Sequence, residues 1–566
     1  VAALAARRRA LRQTIAAGPW RGVRDTIEPF DDSTDYLVDA SNIYIPDPDG
    51  GSAAFGRGGF RLANEGAPVY TGTGQCVYTH IAVDGTIYPF IVGGGRLYRS
   101  SNPGVTHFDD VTPAGITIDP VSRVKMVSLG DVLIVSDGIN QPWIATNLAG
   151  TPITGTKINY DSGAGTGVVW SAHDITAYGG ALFAILHEVG STDRHSDISW
   201  SEPGQPDIGW QQTDFDNNWT LEQTGQSPLT AIVGTNVALY YFRAQSIGAI
   251  AGAVGPDLQT TSTHDAISFN VGTVAWAGIQ TFGNHIYFSD ALGRPWRLPL
   301  GGTPEAIWLN MRHQVEQAPT QFTAITAQVT TSAFDPAQNL YLVAPYTQRA
   351  QTAAPPTQAF VFDTRSGRYI GRWNIKGPDG VAIEAMGTLL DGLGGSKLII
   401  LGSKDIAPAP GGWVWALDPI SSAIKSFITT EASPPRNITT EGGNRLVTQS
   451  TDALWQDDGF LPDIMVQTTR LGYEADVMWN VDRCTVITGS PDPIEVAMQT
   501  TAIPQTLVGI PVPGLSADDT YRLVVGCSIA GRGTQVRVKP VNITTQWMIN
   551  RISIVAVPSQ ARPEDA

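Results

Sequence analysis

The residues best suited to chemistry are concentrated between positions 187 and 219. There Asp193, Asp197, Glu202, Asp207, Asp214 and Asp216 are interleaved with His195, Trp200, Trp210 and Trp219. Carboxylates beside aromatic side chains are what a sugar-cleaving cleft needs, one carboxyl as the acid and another as base or nucleophile. The same composition suits an exposed loop on an acidic protein. No identifiable partner or buried setting would shift a pKa here, so the loop is expected to be non-catalytic. A glycan-binding or glycan-cleaving role of residues 187–219 is the alternative.

Other chemistry is thinly represented. The acids Asp31, Asp32 and Asp35 and the run Asp47-Pro48-Asp49-Gly50-Gly51 suggest calcium, yet neither spacing matches a known calcium loop, and both read as surface turns. Cys76, Cys484 and Cys527 are far apart without a C-x-x-C or a His at ligand spacing, which predicts buried thiols rather than zinc or a disulfide framework. His313 has no ligand-type neighbour in sequence. There is no G-x-S-x-G, Walker loop, H-E-x-x-H or dinucleotide fingerprint. The expectation is no catalytic residue, no metal and no cofactor. Asn218, Asn437 and Asn542 head N-x-T triplets that read as chance matches.

The elements that would carry any site recur along the chain. Apolar strand, Gly- and Pro-rich turn and second short strand appear in that order from Ile87, Asp131, Ala181, Asn236, Asn284, Asn339 and Lys397, at intervals of 44 to 58 residues. The first strand of each pair is apolar almost throughout, as in a strand covered on both faces. The interval approaches the ~40 to 50 residues of a four-stranded blade, which predicts an all-β chain with a β-propeller of about seven or eight blades. Ser289-Asp290-Ala291-Leu292-Gly293-Arg294-Pro295-Trp296 comes near the Asp box found on sialidase propeller blades, with the Asp one place early. Ser136-Asp137-Gly138 with Trp143 departs further. Asp boxes shape turns and do not catalyse, so both support blades rather than sialidase-like activity.

Composition limits the partners. A net charge of -16 argues against sequence-specific DNA reading, which needs cations to neutralise phosphates. No stretch reaches the ~18 apolar residues of a membrane span. Residues 1–19 form a basic arm whose first 17 residues read as a short helix, with Arg7, Arg8, Arg9 and Arg12 as possible docking residues for an acidic neighbour. Residues 20–425 are assigned to the propeller, with a helix expected over 304–318 from Ile307, Met311 and Val315, capped by Thr303. Residues 426–566 are assigned to a C-terminal β-sheet or sandwich-like region because the strands there alternate more cleanly, as in VRVKPVNITTQWMINRISIVAV.

A family resemblance rests on four segments. TLEQTGQSPLTAIVGTNVALYYFRAQSIGAIAG, DAISFNVGTVAWAGIQTFGNHIYFSDALGRPWRL, TPEAIWLNMRHQVEQ and the opening DASNIYIPDPDGG with FGRGGFRL resemble the propeller-type tail nozzle proteins of short-tailed bacteriophages, also called tail hub or packaged-DNA stabilisation proteins. The resemblance covers residues 36–62 and 220–560. Gly248 follows Ser246-Ile247 where the family often has an acid, and the first 17 residues have no counterpart in it. It implies a structural virion protein in the tail, assembled in the host cytoplasm as a homo-oligomeric ring, a hexamer, below the portal and adaptor proteins. A tail fibre or plug would be a further partner, and DNA would pass through the lumen without sequence recognition. An acidic wall agrees with that, because it repels phosphate.

Overall fold

A computed structural model describes residues 13–17, 20–21, 37–41, 43–52, 54–56, 60–64, 68–102, 105, 107–159, 170–188, 197–208, 210, 218–221, 228–255, 258–312, 330–344, 358–374, 383–391, 395–404, 411–417, 438–439, 445–448, 454–455, 465–468, 478–489, 493–499, 505–513, 521–531, 535–541 and 548–559. Nearly all of its regular structure is β-strand. Each of the seven apolar pairs forms the middle of a four-stranded antiparallel sheet. The first sheet runs Gly74–Ile81, Ile87–Gly93, Arg96–Ser100 and Phe108–Asp110, each strand pairing with the next in sequence. The leading strands of the other six are Lys125–Leu129, Trp170–Tyr178, Leu229–Gly234, Gln280–Phe282, Thr331–Asp335 and Ala385–Leu390.

The non-alternating apolar strands have the double-sided burial that their composition demands. Phe90 and Val92 pack with Leu133 and Val135 of the second sheet, while Ile91 between them packs with Ile399 and Leu401 of the seventh. Ile134 turns the other way, to Ile175 and Leu182 of the third sheet. Similar cores join the third sheet to the fourth, the fourth to the fifth, and the fifth through the sixth to the seventh. A strand whose odd and even side chains are both buried cannot show a polar period of two.

The seventh sheet is completed by the other end of the chain. Phe60–Leu62 pairs antiparallel with Gly411–Leu417, with Leu62 opposite Trp415 and Phe60 opposite Leu417. Beside this junction the buried Tyr70 is wedged between the first and seventh sheets. A Cβ on Gly93 would lie 2.4 Å from its ring, and one on Gly412 1.9 Å. The Tyr70 hydroxyl donates to Glu384 Oε2 (3.3 Å), which also accepts the Gly74 N–H (2.6 Å). Burial is the main cause raising the Tyr70 pKa well above 10, with the Glu384 charge adding to it.

Apart from a small three-stranded sheet of Ile438–Thr439, Arg445–Thr448 and Leu454–Trp455, the C-terminal strands lie in two larger sheets. One extends the sixth four-stranded sheet: Tyr369–Asn374 meets Leu37–Ser41 in parallel, then follow Met465–Thr468, Gln535–Pro540, Ile494–Gln499 and Gln505–Gly509. The other places Met548–Ser559 between Ala54–Gly56 and Met478–Thr488, followed by Tyr521–Gly531 and Val512–Pro513. Their inner faces share a core that includes Cys484, Val486, Val496, Met498, Val525, Val538 and Ile554.

Three expectations need correction. Residues 37–56 form no four-stranded sheet of their own but join the sixth sheet to the C-terminal strands: Leu37–Ser41 pairs with both Tyr369–Asn374 and Met465–Thr468, and Ala54–Gly56 with Met548–Ser559. The Trp373 indole donates to Ile43 O (2.7 Å) and Arg365 to Pro46 O (2.8 Å), fixing this segment to the sixth sheet. Within the basic arm Gln13–Ala17 is a strand paired with Met548–Ser559 rather than helix, since an available sheet edge outweighs the helix propensity of a short Ala-rich segment. Over 304–318, Glu305–Ala306 is a strand and Ile307–Met311 a 3-10 turn entered from Ala306 without a side-chain cap. Ile307 and Met311 are buried as expected, whereas His313 and Val315 lie outside the described residues.

The Tyr70 junction makes a stability prediction. Gly412→Ala is expected to destabilise by about 1–3 kcal/mol, the usual cost of overpacking a filled core. Gly526→Ala, where an added Cβ meets nothing within 4 Å, is the control and should stay within about 0.5 kcal/mol. Urea-denaturation midpoints measure both, and equal midpoints would mean that Tyr70 does not fill the junction.

Candidate functional site

Residues of all seven repeated sheets, on or beside their leading strands, line one cavity of about 340 Å³. That is near the lower end of the ~300–1,000 Å³ typical of small-molecule sites, so it is sized for a compact ligand rather than a polymer. Its wall includes Cys76 and Tyr78 from the first sheet, Arg123 and Lys125 beside and on the second leading strand, Thr176 from the third, Trp276 and Gln280 from the fifth and Met386 from the seventh.

The polar groups around it hold neighbouring sheets together. Lys125 Nζ lies 3.0 Å from Asp174 Oδ1 and 5.8 Å from the ring centroid of Trp276. Asp174 is fully buried at a register shift in Trp170–Tyr178, and its carboxylate also accepts the N–H groups of Ile175 (2.9 Å) and Ile232 (2.9 Å). One side chain therefore links the second, third and fourth sheets. Burial raises its pKa, and Lys125 and the two N–H groups oppose that rise. Gly234 donates to Thr176 Oγ1 (2.8 Å), Met386 to Thr331 Oγ1 (2.8 Å) and Leu390 to Thr79 Oγ1 (3.0 Å), each across a sheet boundary. Burial pushes the Cys76 thiol up to about 12 despite nearby Arg123 and Lys125, so at neutral pH it is not a nucleophile. The arrangement can bind, but it has no pairing of nucleophile and base.

The Asp-box-like stretch does what its spacing suggests, by a shifted geometry. Asp290 Oδ1 accepts the N–H groups of Leu292 (2.9 Å) and Arg294 (3.0 Å), while Oδ2 accepts Arg294 Nε (2.7 Å) and the Trp296 indole (3.0 Å). Asp137 Oδ1 likewise accepts Ile139 N–H (3.0 Å) and Asn140 N–H (2.6 Å). Asp363 accepts the N–H groups of Arg365 (3.1 Å) and Ser366 (2.8 Å), and Asp335 that of Ala337 (3.1 Å). Each carboxylate closes the turn at a strand end and is not presented to a substrate.

The stretch 187–219 does not assemble as a cleft among the described residues. Trp200 and Trp210 are core residues: Trp200 packs on Phe183, and Trp210 packs on Trp170 and donates to Pro206 O (2.7 Å). Glu202 sits in a turn with Gln205. Trp219 meets His264 edge-on at 5.6 Å. Asp193, His195, Asp214 and Asp216 lie outside the described residues, as do Arg7, Arg8, Arg9 and Arg12 and the early acids Asp31, Asp32 and Asp35. Cys76 and Cys484 are not joined in disulfides, and no group of three metal-ligating side chains occurs among the described residues.

Lys125, Asp174 and Trp276 escape a motif search because they are scattered over 152 positions on different sheets. The available signal is a charge inside an apolar strand, as in Val124-Lys125-Met126-Val127 and His173-Asp174-Ile175, which needs a partner when buried.

No family model and no curated protein matches the chain. Among solved structures it is similar to the computationally designed Ika8 protein, at 10% identity and a TM-score of 0.35 over 63% of this chain and 100% of that one. It is also similar to BBS1N in its complex with ARL6DN, at 11% and 0.37 over 64% and 98%. Exo-beta-1,3-galactanase from Phanerochaete chrysosporium matches at 10% and 0.23 over 87% and 98%. At such scores the function of this chain does not follow from theirs.

The turn carboxylates generate a pH prediction. Burial raises Asp335 from 3.8 to about 6, against the N–H groups of Ala337 and Gln338. The folded state then binds more protons than the unfolded one between about pH 4 and 6, so stability falls as pH rises through that window, by about 3 kcal/mol in total. Asp335→Asn keeps an acceptor for Ala337 and is expected to remove the fall. Its urea midpoint should match the parent at pH 4 and exceed it above pH 6.5; a difference independent of pH would refute the assignment.

Proposed function

We propose that the chain is a structural virion subunit, the tail nozzle or hub of a short-tailed bacteriophage, and not an enzyme. On this reading the seven four-stranded sheets are the blades of a β-propeller, and Phe60–Leu62 is the strand that closes the ring onto the last blade. The two C-terminal sheets form a sandwich-like unit beside it. Copies of the subunit make a ring, six by the family resemblance, below the portal and adaptor, with DNA held and released through the lumen between them.

The observation that carries the reading is an apolar edge. Val508, Ile510 and Val512 are 63%, 69% and 61% exposed, and Val524, two residues from the partner of Val512, is 45% exposed. They lie where the chain crosses from the last strand of one C-terminal sheet to the last strand of the other. Exposed apolar side chains grouped along one edge favour a contact surface there. Pro511 and Pro513 lack N–H groups, so a partner would pack against these side chains and not add a strand. The acidic net charge favours a lumen that does not hold phosphate.

Electron microscopy of the purified protein tests the reading and is expected to show closed rings of identical subunits. Ile510→Lys should leave a folded monomer. Removing residues 1–12, which carry the four arginines, should weaken assembly in a salt-dependent way, because exposed charges are screened within a ~10 Å Debye length at 0.1 M salt. Particles that remain monomeric at every concentration, or rings indifferent to Ile510→Lys, would overturn it.

A further inference from the structure

We propose that the cavity among the leading strands binds a small organic anion, a carboxylate carried on a compact apolar body. The first ground is charge. The cavity wall contains Arg123 and Lys125 and no Asp or Glu, in a chain whose 52 acids outnumber its 36 bases. The single carboxylate that meets Lys125, Asp174, is fully buried and reaches it from outside the wall, leaving the Lys125 side chain 23% exposed. An ammonium held in place by a buried anion is preorganised, so a ligand carboxylate need not order it.

The second ground is the rest of the wall. Tyr78, Met126, Trp276 and Met386 supply apolar and aromatic surface of the kind that covers a ligand body, with a few polar groups to orient it. The Trp276 ring centroid lies 5.8 Å from Lys125 Nζ, so aromatic surface and charge are adjacent in the wall. The volume of about 340 Å³ admits one or two fused rings with a carboxylate and excludes a polymer strand. This site is independent of the contact edge at 508–512.

The probe is 2-naphthoate, with the neutral 2-naphthamide as its isostere, titrated into the full chain by calorimetry. Naphthoate is expected to bind at least about tenfold more tightly than the amide, a difference of ~1.4 kcal/mol. Lys125→Met alone would strand Asp174, so the charge is removed with the double substitution Lys125→Met/Asp174→Asn, which should lose that preference. Thr281→Trp, placed at an exposed position of the wall, should block both compounds without touching the ion pair. Equal binding of acid and amide, binding unchanged in both variants, or no binding to the parent would each overturn the proposal.

Discussion

The pairing of Phe60–Leu62 with Gly411–Leu417 is the constraint on which the rest depends. Without it the seventh sheet would end at an exposed strand, with a row of unpaired backbone groups. With it, two segments some 350 residues apart in sequence are held in register, and the packing of first sheet on seventh is fixed at Tyr70. The glycines at 93 and 412 follow from this, because only a residue without Cβ lets two strands close on the faces of one ring.

The leading strands must satisfy two demands at once. They pack edge to edge around a confined space, and their outward hydrogen-bonding groups have no fifth strand to pair with. Side chains therefore take over: Asp174, Glu384, Thr79, Thr176 and Thr331 each accept a backbone N–H from a neighbouring sheet. These are short or buried groups whose loss would leave donors unsatisfied, a cost of about 1–3 kcal/mol each. The cavity is what remains at the meeting point of seven such edges, which explains why its polar lining, Lys125 with its Asp174 partner included, is largely committed to holding sheets.

The second strands were the most legible part of the sequence, because runs such as VLIVS and LYLVA are apolar almost throughout, the first followed by Asp137-Gly138 and the second preceded by Asn339. Leading strands were harder to read. GQCVYTHI and WSAHDITAY mix polar and apolar residues in no fixed period, since their polar members answer to a neighbouring sheet. Leu37–Ser41 and Ala54–Gly56 could not be placed from sequence, since their pairings with Met465–Thr468 and Met548–Ser559 span more than 400 positions and nothing local encodes them. The helix expected over 304–318 failed for a local reason. The apolar spacing of Ile307 and Met311 was read correctly as a buried face, but Glu305 is held in strand geometry by Arg297 (2.5 Å) and Ala306 by Trp296, so only a 3-10 turn fits after them.

The N-terminal segment ties these levels together. Leu37–Ser41 bridges the sixth sheet to a C-terminal sheet, Ile43–Tyr44 and Ala54–Gly56 border the other, and Phe60–Leu62 completes the seventh. Within 26 residues the chain pairs with the sixth and seventh sheets and with both larger C-terminal sheets. Pulling the two units apart would require breaking strand pairs and the hydrogen bonds of Trp373, Arg365 and Arg368 to residues 43–48 together, not sliding one surface over another. The two C-terminal sheets share one core with the fifth, sixth and seventh of the repeated sheets.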